Sequence, residues 1–121
     1  MSRSDIIREY YGRIDRADTT WVIALFATDA VYQRAETTYL GSSEIKRFFT
    51  EERKITGVHT VDEIFISNEG DIVVATGNFR GKGVAGDPRA VGFTDIWKFD
   101  CQGLVRLRQT FLAIGSDYVR A

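Results

Sequence analysis

The chain has 121 residues, 44% of them hydrophobic and 27% charged, with a formal net charge of −1. This matches one domain with one core and excludes disorder, while the scattered Lys and Arg leave no basic footprint for nucleic acid or an anionic membrane surface. Cys101 is the only cysteine, so neither an internal disulfide nor a thiolate metal cluster can form within the chain.

The first third carries helical periodicity. Ile7, Tyr10, Tyr11 and Ile14 recur on one face between residues 5 and 15, and Ser4 is placed to cap the helix. Asp18 is placed to cap a second helix, whose Trp21, Val22, Ile23, Leu25 and Phe26 form a broad apolar stripe ending before Thr28 and Asp29. A third helix is expected after Gly41, with Ser42 as cap, Glu44 in its first turn and Ile45, Phe48 and Phe49 facing inward, running out near Lys54 or Ile55.

The period then changes to two. Strands are expected over residues 58–67, 72–84, 90–99 and 104–114, joined by turns at Asn68 to Asp71, Ala85 to Pro88 and Asp100 to Gly103. Three helices followed by four long strands predict a single α+β domain over residues 1–121, with the helices packed on one face of a strongly curved antiparallel sheet.

The N-terminal segment carries acidic residues and lacks the apolar run of a secretory signal, and no run reaches membrane-spanning length. A cytoplasmic location with no membrane partner is the expectation. Cys101 lies in a turn without a neighbouring His or basic residue and reads as an incidental thiol.

Strand alternation sorts the side chains into faces. Phe93, Asp95, Trp97 and Phe99 point one way, so one acid sits among three aromatic rings. In the last strand Arg106, Arg108 and Thr110 share a face, and Val105, Leu107, Gln109 and Phe111 share the other. Two sheet faces that both carry apolar residues predict a homodimer covering the face the helices leave bare.

Several segments carry a family resemblance: Asp15 to Asp18, the run Trp21 to Ala30, Gly41 to Phe49, Gly70 to Val74 and Phe93 to Phe99. Together they resemble the SnoaL-like and ketosteroid isomerase-like branch of the nuclear transport factor 2-like superfamily, over nearly the whole chain. The resemblance implies a cone-shaped α+β barrel enclosing a pocket. The scaffold hosts isomerases, cyclases, epoxide hydrolases, dehydratases and proteins without catalysis, so the fold alone does not name the activity.

By resemblance, Tyr10 matches the isomerase oxyanion-hole tyrosine and Asp95 the carboxylic acid that donates a second hydrogen bond there. The isomerase's general-base aspartate matches Arg34, which cannot act as a base at neutral pH, and a supporting tyrosine matches Phe49. Ordinary ketosteroid isomerisation is therefore disfavoured. Limonene-type epoxide hydrolysis is disfavoured too, because Arg108 is followed by Gln109 where those hydrolases place Asp. SnoaL-like cyclases use a pocket aspartate as acid or base, and Asp95 is the strand carboxylate in an aromatic setting.

The catalytic candidates are thus Asp95, Tyr10 and Arg34, and the ligand-binding candidates Tyr32, His59, Phe93, Trp97 and Arg108. Each has a structural alternative. Among aromatics alone Asp95 would stay protonated, whereas beside Arg34 or Arg108 it would be an ion-paired carboxylate. Tyr10 could be core. Arg34 could clamp an oxyanion or pair with Glu36, and Glu52 could turn inward to Arg34. Arg106 beside Arg108 suggests a solvated basic stripe. His59, the sole histidine, cannot build a His-rich metal site, and reads as a structural His unless Asp95 or Glu52 comes within reach as a proton-shuttle partner. Glu51, Glu52 and Arg53 read as a solvated face, and Gly81-Lys82-Gly83 as a bulged strand end and not a phosphate loop.

The expectation is an enzyme of cofactor-free acid–base chemistry, of isomerase, cyclase or dehydratase type. It would act without metal on a small hydrophobic or aromatic metabolite bearing a polar or anionic group. The alternative is a binding or dimerisation module of the same fold without chemistry.

Overall fold

The computed structural model describes residues 1–113. Helix α1 spans Arg3–Asp15 and buries Ile7, Tyr10, Tyr11 and Ile14. Its cap is Ser2, not Ser4. Ser2 Oγ accepts from the Asp5 backbone N–H at 3.1 Å while Asp5 Oδ2 accepts from the Ser2 N–H at 3.3 Å. Only Ser2 stands three residues before an acid that can return the bond, which is what the reciprocal box requires.

Helix α2 is short, Thr19–Ala24, and is capped by Asp18 as expected. The apolar run continues past it as strand β1, Phe26–Arg34, followed by β2, Thr37–Leu40. The expected helix over Leu25 and Phe26 is therefore corrected. A run of consecutive apolar residues has no period to separate a buried helix from a buried strand. Helix α3 covers Gly41–Arg47 with no side-chain cap, so Ser42 is not its cap; Glu44 Oε1 instead accepts from the Leu40 N–H at 2.8 Å. It passes into a π-helical turn, Phe48–Glu52, which ends at Arg53.

Strands β3 (Thr56–Ile66), β4 (Ile72–Lys82), β5 (Pro88–Phe99) and β6 (Val105–Leu112) lie close to the expected bounds. The expected end of the last strand at Ile114 lies outside the described residues. The described strands form one sheet in the order β2-β1-β6-β5-β4-β3. Every neighbouring pair is antiparallel except β1 and β6, which run parallel, a pairing that the expected antiparallel sheet did not contain.

This is the α+β architecture expected, with helices on one face of a curved, unclosed six-stranded sheet. Registers shift between Val61 and Glu63, between Lys98 and Phe99, and within β1 between Phe26 and Val31. Such irregularities bend a sheet enough to wrap an inner face around a cavity. The core is that inner face: Val73, Ala75, Phe93, Trp97, Phe99 and Val105 pack against Ile7, Tyr10, Tyr11, Val22 and Ile45. Among the described residues no helix is long and apolar enough to cross a membrane.

Candidate functional site

Asp95 sits on the inner face of β5 between Phe93 and Trp97 and is 1% exposed. A carboxylate so buried needs partners, and the adjacent strand provides them: Thr110 lies directly across from Asp95, and Arg108 across from Trp97. Arg108 Nη2 donates to Asp95 Oδ2 at 3.0 Å and its Nε to Oδ1 at 3.3 Å. Thr110 Oγ1 donates to Oδ1 at 2.5 Å, and Tyr11 Oη, from α1, donates to Oδ2 at 2.6 Å. Each carboxylate oxygen thus accepts two hydrogen bonds.

The Arg108 guanidinium is sandwiched among rings, 4.4 Å from the Trp97 centroid and 4.7 Å from those of Tyr10 and Tyr32. Burial, the largest single influence, opposes its charge, but Asp95 together with Tyr10, Tyr32 and Tyr11 more than offsets it, and the group is held firmly protonated. Its Nη1 donates to Tyr10 Oη at 2.6 Å.

Four hydroxyls meet here, and each has one proton to give. Those of Tyr11 and Thr110 go to Asp95. Tyr32 and Thr110 are 3.0 Å apart, and because the Thr110 proton is committed, Tyr32 donates in that pair. Tyr10 accepts from Arg108, and its own proton has no acceptor among the described residues. Burial pushes the Tyr10 pKa up to about 12, with Arg108 pulling the other way, so the phenol is a neutral donor at neutral pH.

Tyr10 lies on the wall of a cavity of about 60 Å³, shared with Tyr32, Arg34, Phe49, Arg53, His59, Phe93, Asp95, Arg108 and Leu112 among others. Arg34 reaches Tyr32 Oη at 3.3 Å and lies 5.4 Å from the Phe48 centroid, and Arg53 makes only a 3.4 Å contact to the Ile55 carbonyl. Neither guanidinium meets a carboxylate within the described residues. With Arg108 neutralised by Asp95, the wall carries excess positive charge.

His59, at the start of β3, is held by Asp15 at the end of α1. Asp15 Oδ2 accepts from the His59 backbone N–H at 2.8 Å, and the ring Nδ1 lies 2.5 Å from Asp15 Oδ1.

Tyr10, Arg34, Tyr32, His59, Phe93, Asp95 and Arg108 therefore come together at one cavity as the sequence suggested. Trp97 does not: it is fully buried beneath Arg108 and donates from Nε1 to Tyr11 Oη at 3.3 Å, outside the cavity wall. Asp95 takes the ion-paired alternative, with Arg108 and not Arg34. The basic stripe is corrected as well, because the register shift at the start of β6 exposes Arg106 and turns Arg108 inward at 4% exposure. Arg34 pairs with neither Glu36 nor Glu52; Glu52 instead accepts from Arg47 Nε at 3.2 Å and Tyr39 Oη at 2.8 Å.

Four contributors escaped the sequence reading. Tyr11 was legible only as core, because a helix stripe does not say which hydroxyl meets a strand carboxylate. Thr110 was placed on the correct face without a role. Asp15 stands four residues after Tyr11, hence on the same helix face, and that spacing was the available signal. Arg53, expected on a solvated face, instead lines the cavity where the π-helical turn ends, and burial lowers its pKa. Among the described residues no three His, Cys, Asp or Glu side chains converge to hold a metal ion.

A curved, unclosed six-stranded sheet with helices packed on one face is the architecture of nuclear transport factor 2-like proteins. Within it, the SnoaL-like domain family matches residues 7–107, and the chain belongs to that family. Solved structures agree on the fold. A candidate polyketide cyclase from Pseudomonas putida KT2440 is 14% identical, with a TM-score of 0.85 over 99% of this chain and 97% of that one. A nuclear transport factor 2-like protein of unknown function from Burkholderia pseudomallei K96243 is 23% identical, with a TM-score of 0.81 over 99% and 97%. The epoxide hydrolase/cyclase-like enzyme SalBIII, of pyran ring formation in the polyether salinomycin, is 12% identical, with a TM-score of 0.82 over 93% and 91%. No curated protein matches the sequence significantly.

Proposed function

We propose that this chain is a cofactor-free acid–base enzyme of isomerase, cyclase or dehydratase type, acting on a small apolar molecule with an anionic or carbonyl head. The observation that carries this is the hydroxyl accounting. Of the four protons in the buried network, the Tyr10 proton alone has no acceptor among the described residues, and it sits on the cavity wall with Arg108 donating to its oxygen. A phenol polarised in this way, among buried aromatic side chains, is suited to stabilise an oxyanion as it develops.

Asp95 in this reading is the counter-ion that fixes Arg108, since its own acceptor positions are filled. Arg34, whose guanidinium meets no carboxylate among the described residues, holds the anionic head of the substrate, and Tyr32 and Phe93 supply apolar wall. The polyketide cyclase and epoxide hydrolase/cyclase-like names borne by structural relatives favour the cyclase member of this class.

The test is proton exchange in D₂O. A panel of small enones and β-keto carboxylates is incubated with the protein, and loss of the proton next to the carbonyl is followed by ¹H NMR. The wild type is expected to accelerate exchange in at least one anionic member, and Tyr10→Phe to slow it by about 10²- to 10³-fold, as loss of an oxyanion donor does elsewhere. Equal rates in the two proteins would sink the proposal.

A second reading, a binding module without chemistry, is favoured by one observation. The cavity of about 60 Å³ has room for a few waters and falls short of the several hundred Å³ of typical ligand pockets. Under that reading the wild type binds panel members and exchanges none.

A further inference from the structure

We infer that Asp15 and His59 form a general-base dyad serving this cavity, with His59 Nε2 as the atom that takes the substrate proton. The inference rests on the reading of the cavity as a site of acid–base chemistry and supplies the base that reading lacks.

Asp15 has no other side-chain partner among the described residues: one oxygen holds the His59 backbone N–H and the other the ring Nδ1. An ionised carboxylate only accepts, so Nδ1 carries the proton and Nε2 is left with its lone pair. The two side chains are 13% and 14% exposed, and the ring is packed 4.8 Å from Phe79, 5.4 Å from Tyr11 and 5.5 Å from Phe93 between centroids. It is therefore held at one angle by rings and a carboxylate together. Among the described residues no sealed side-chain N or O atom lacks a hydrogen-bond partner, and Nε2 meets none there, so Nε2 keeps some solvent access. His59 lines the cavity, and in the proposed dyad Nε2 is the atom that faces it.

The charged groups facing the ring are Asp15 from α1, Arg53 from the end of the π-helical turn and Arg108 from β6. Burial lowers the His59 pKa, Asp15 raises it in part, and the two arginines lower it again, so the net direction is down. The imidazole is neutral at pH 7 and available as a base.

In the step proposed, Nε2 takes a proton from the carbon next to the substrate carbonyl. The C–H electron pair moves into the C–C bond and the carbonyl electrons move onto oxygen, where the Tyr10 hydroxyl receives the negative charge. The imidazolium formed is paired with Asp15 and returns its proton to another carbon, completing an isomerisation with no oxidant and no co-reactant. This use of one oriented His with a carboxylate behind it follows general acid–base logic.

Because His59 is the only histidine, the ring nitrogens of a ¹⁵N-histidine sample report on this dyad alone. At pH 7 the spectrum is expected to show a protonated Nδ1 and an unprotonated Nε2, titrating below the ordinary value of about 6.5. Diethyl pyrocarbonate is expected to modify Nε2, with benzoate, as a small aromatic carboxylate, protecting it. In the exchange assay, His59→Gln should lose about 10²-fold or more, the gain a positioned base provides. The wild-type rate should rise with pH through the His59 titration, since the base is the deprotonated form. Asp15→Asn, by removing the influence that raises the pKa, should shift that limb to lower pH.

An Nε2-protonated tautomer, an unreactive or unprotected Nε2, or full exchange with an unchanged pH profile in His59→Gln would each overturn the dyad. A wild type inert on the whole panel would instead overturn the proposed reaction. The dyad is then judged by the tautomer and by benzoate protection, neither of which needs turnover.

Discussion

Asp95 and Arg108 are each nearly sealed from solvent, so removing either strands a full charge where water cannot reach it. Asp95→Ala and Arg108→Met are each expected to cost about 3–5 kcal/mol, measured by urea unfolding. The double substitution should cost clearly less than the sum, because it removes both charges together. Additive losses would mean the two side chains act independently, against the geometry of a 3.0 Å pair. Hydroxyls define the rest of the residue scale. Alternation along β5 made the inward acid legible, and alternation along β6 placed Arg108 and Thr110 on one face. That Arg108, and not Arg34, meets Asp95 followed from strand register, which places Arg108 across from Trp97, one alternation step from Asp95. Register is set by turns and bulges elsewhere in the sheet and is not encoded beside the residues that it brings together.

At the scale of elements, the cavity depends on how tightly β3 and β4 approach where His59 and Phe79 face each other. Gly57 and Gly81 are paired there, and a Cβ on Gly81 would fall on the backbone carbonyl oxygen of Thr56. The obstruction is backbone, not a flexible side chain, so relief requires the strands to separate. Gly81→Ala is therefore expected to destabilise by about 1–3 kcal/mol in thermal or urea unfolding, the usual range for overpacking. No loss would show that the strand pair has slack. The π-helical turn matters in the same way, since it presents Phe49 and Arg53 to the cavity together. Sequence reading saw a third helix running out near residue 54 or 55. It could not see the widened turn, because one extra residue per turn leaves the composition unchanged.

For the whole molecule, the outer face of the sheet is the open question that physics can address. Phe65 and Phe111 point outward at 57% and 53% exposure, with Val74, Ile96 and Leu107 half-buried on the same side. An apolar face of this kind is costly in water. We propose that a second copy of the chain covers it. Sedimentation velocity at micromolar concentration is expected to give twice the chain mass, and Phe111→Glu to return the monomer. A monomeric wild type would remove the dimer. Ligand entry belongs to the same scale: the cavity of about 60 Å³ must widen to admit a metabolite, and among its lining side chains Leu112 is exposed and Arg34 half-buried.

The amino-acid sequence by itself determined the α+β class, the four long strands, the faces of β5 and the family. These depend on local periodicity, which any stretch of ten residues displays. Of the eight candidate residues it marked, seven line the cavity, Trp97 being the exception. Tertiary structure decided the rest: that β1 and β6 pair in parallel, that Arg108 and not Arg34 neutralises Asp95, that Tyr10 keeps its proton, and that Asp15 stands behind His59 from 44 positions away. Each of these is a contact between segments distant in sequence. Such contacts are chosen by the register and curvature of the finished sheet, where the cost of burying a charge or a hydroxyl proton is settled against whichever partner the fold brings into range.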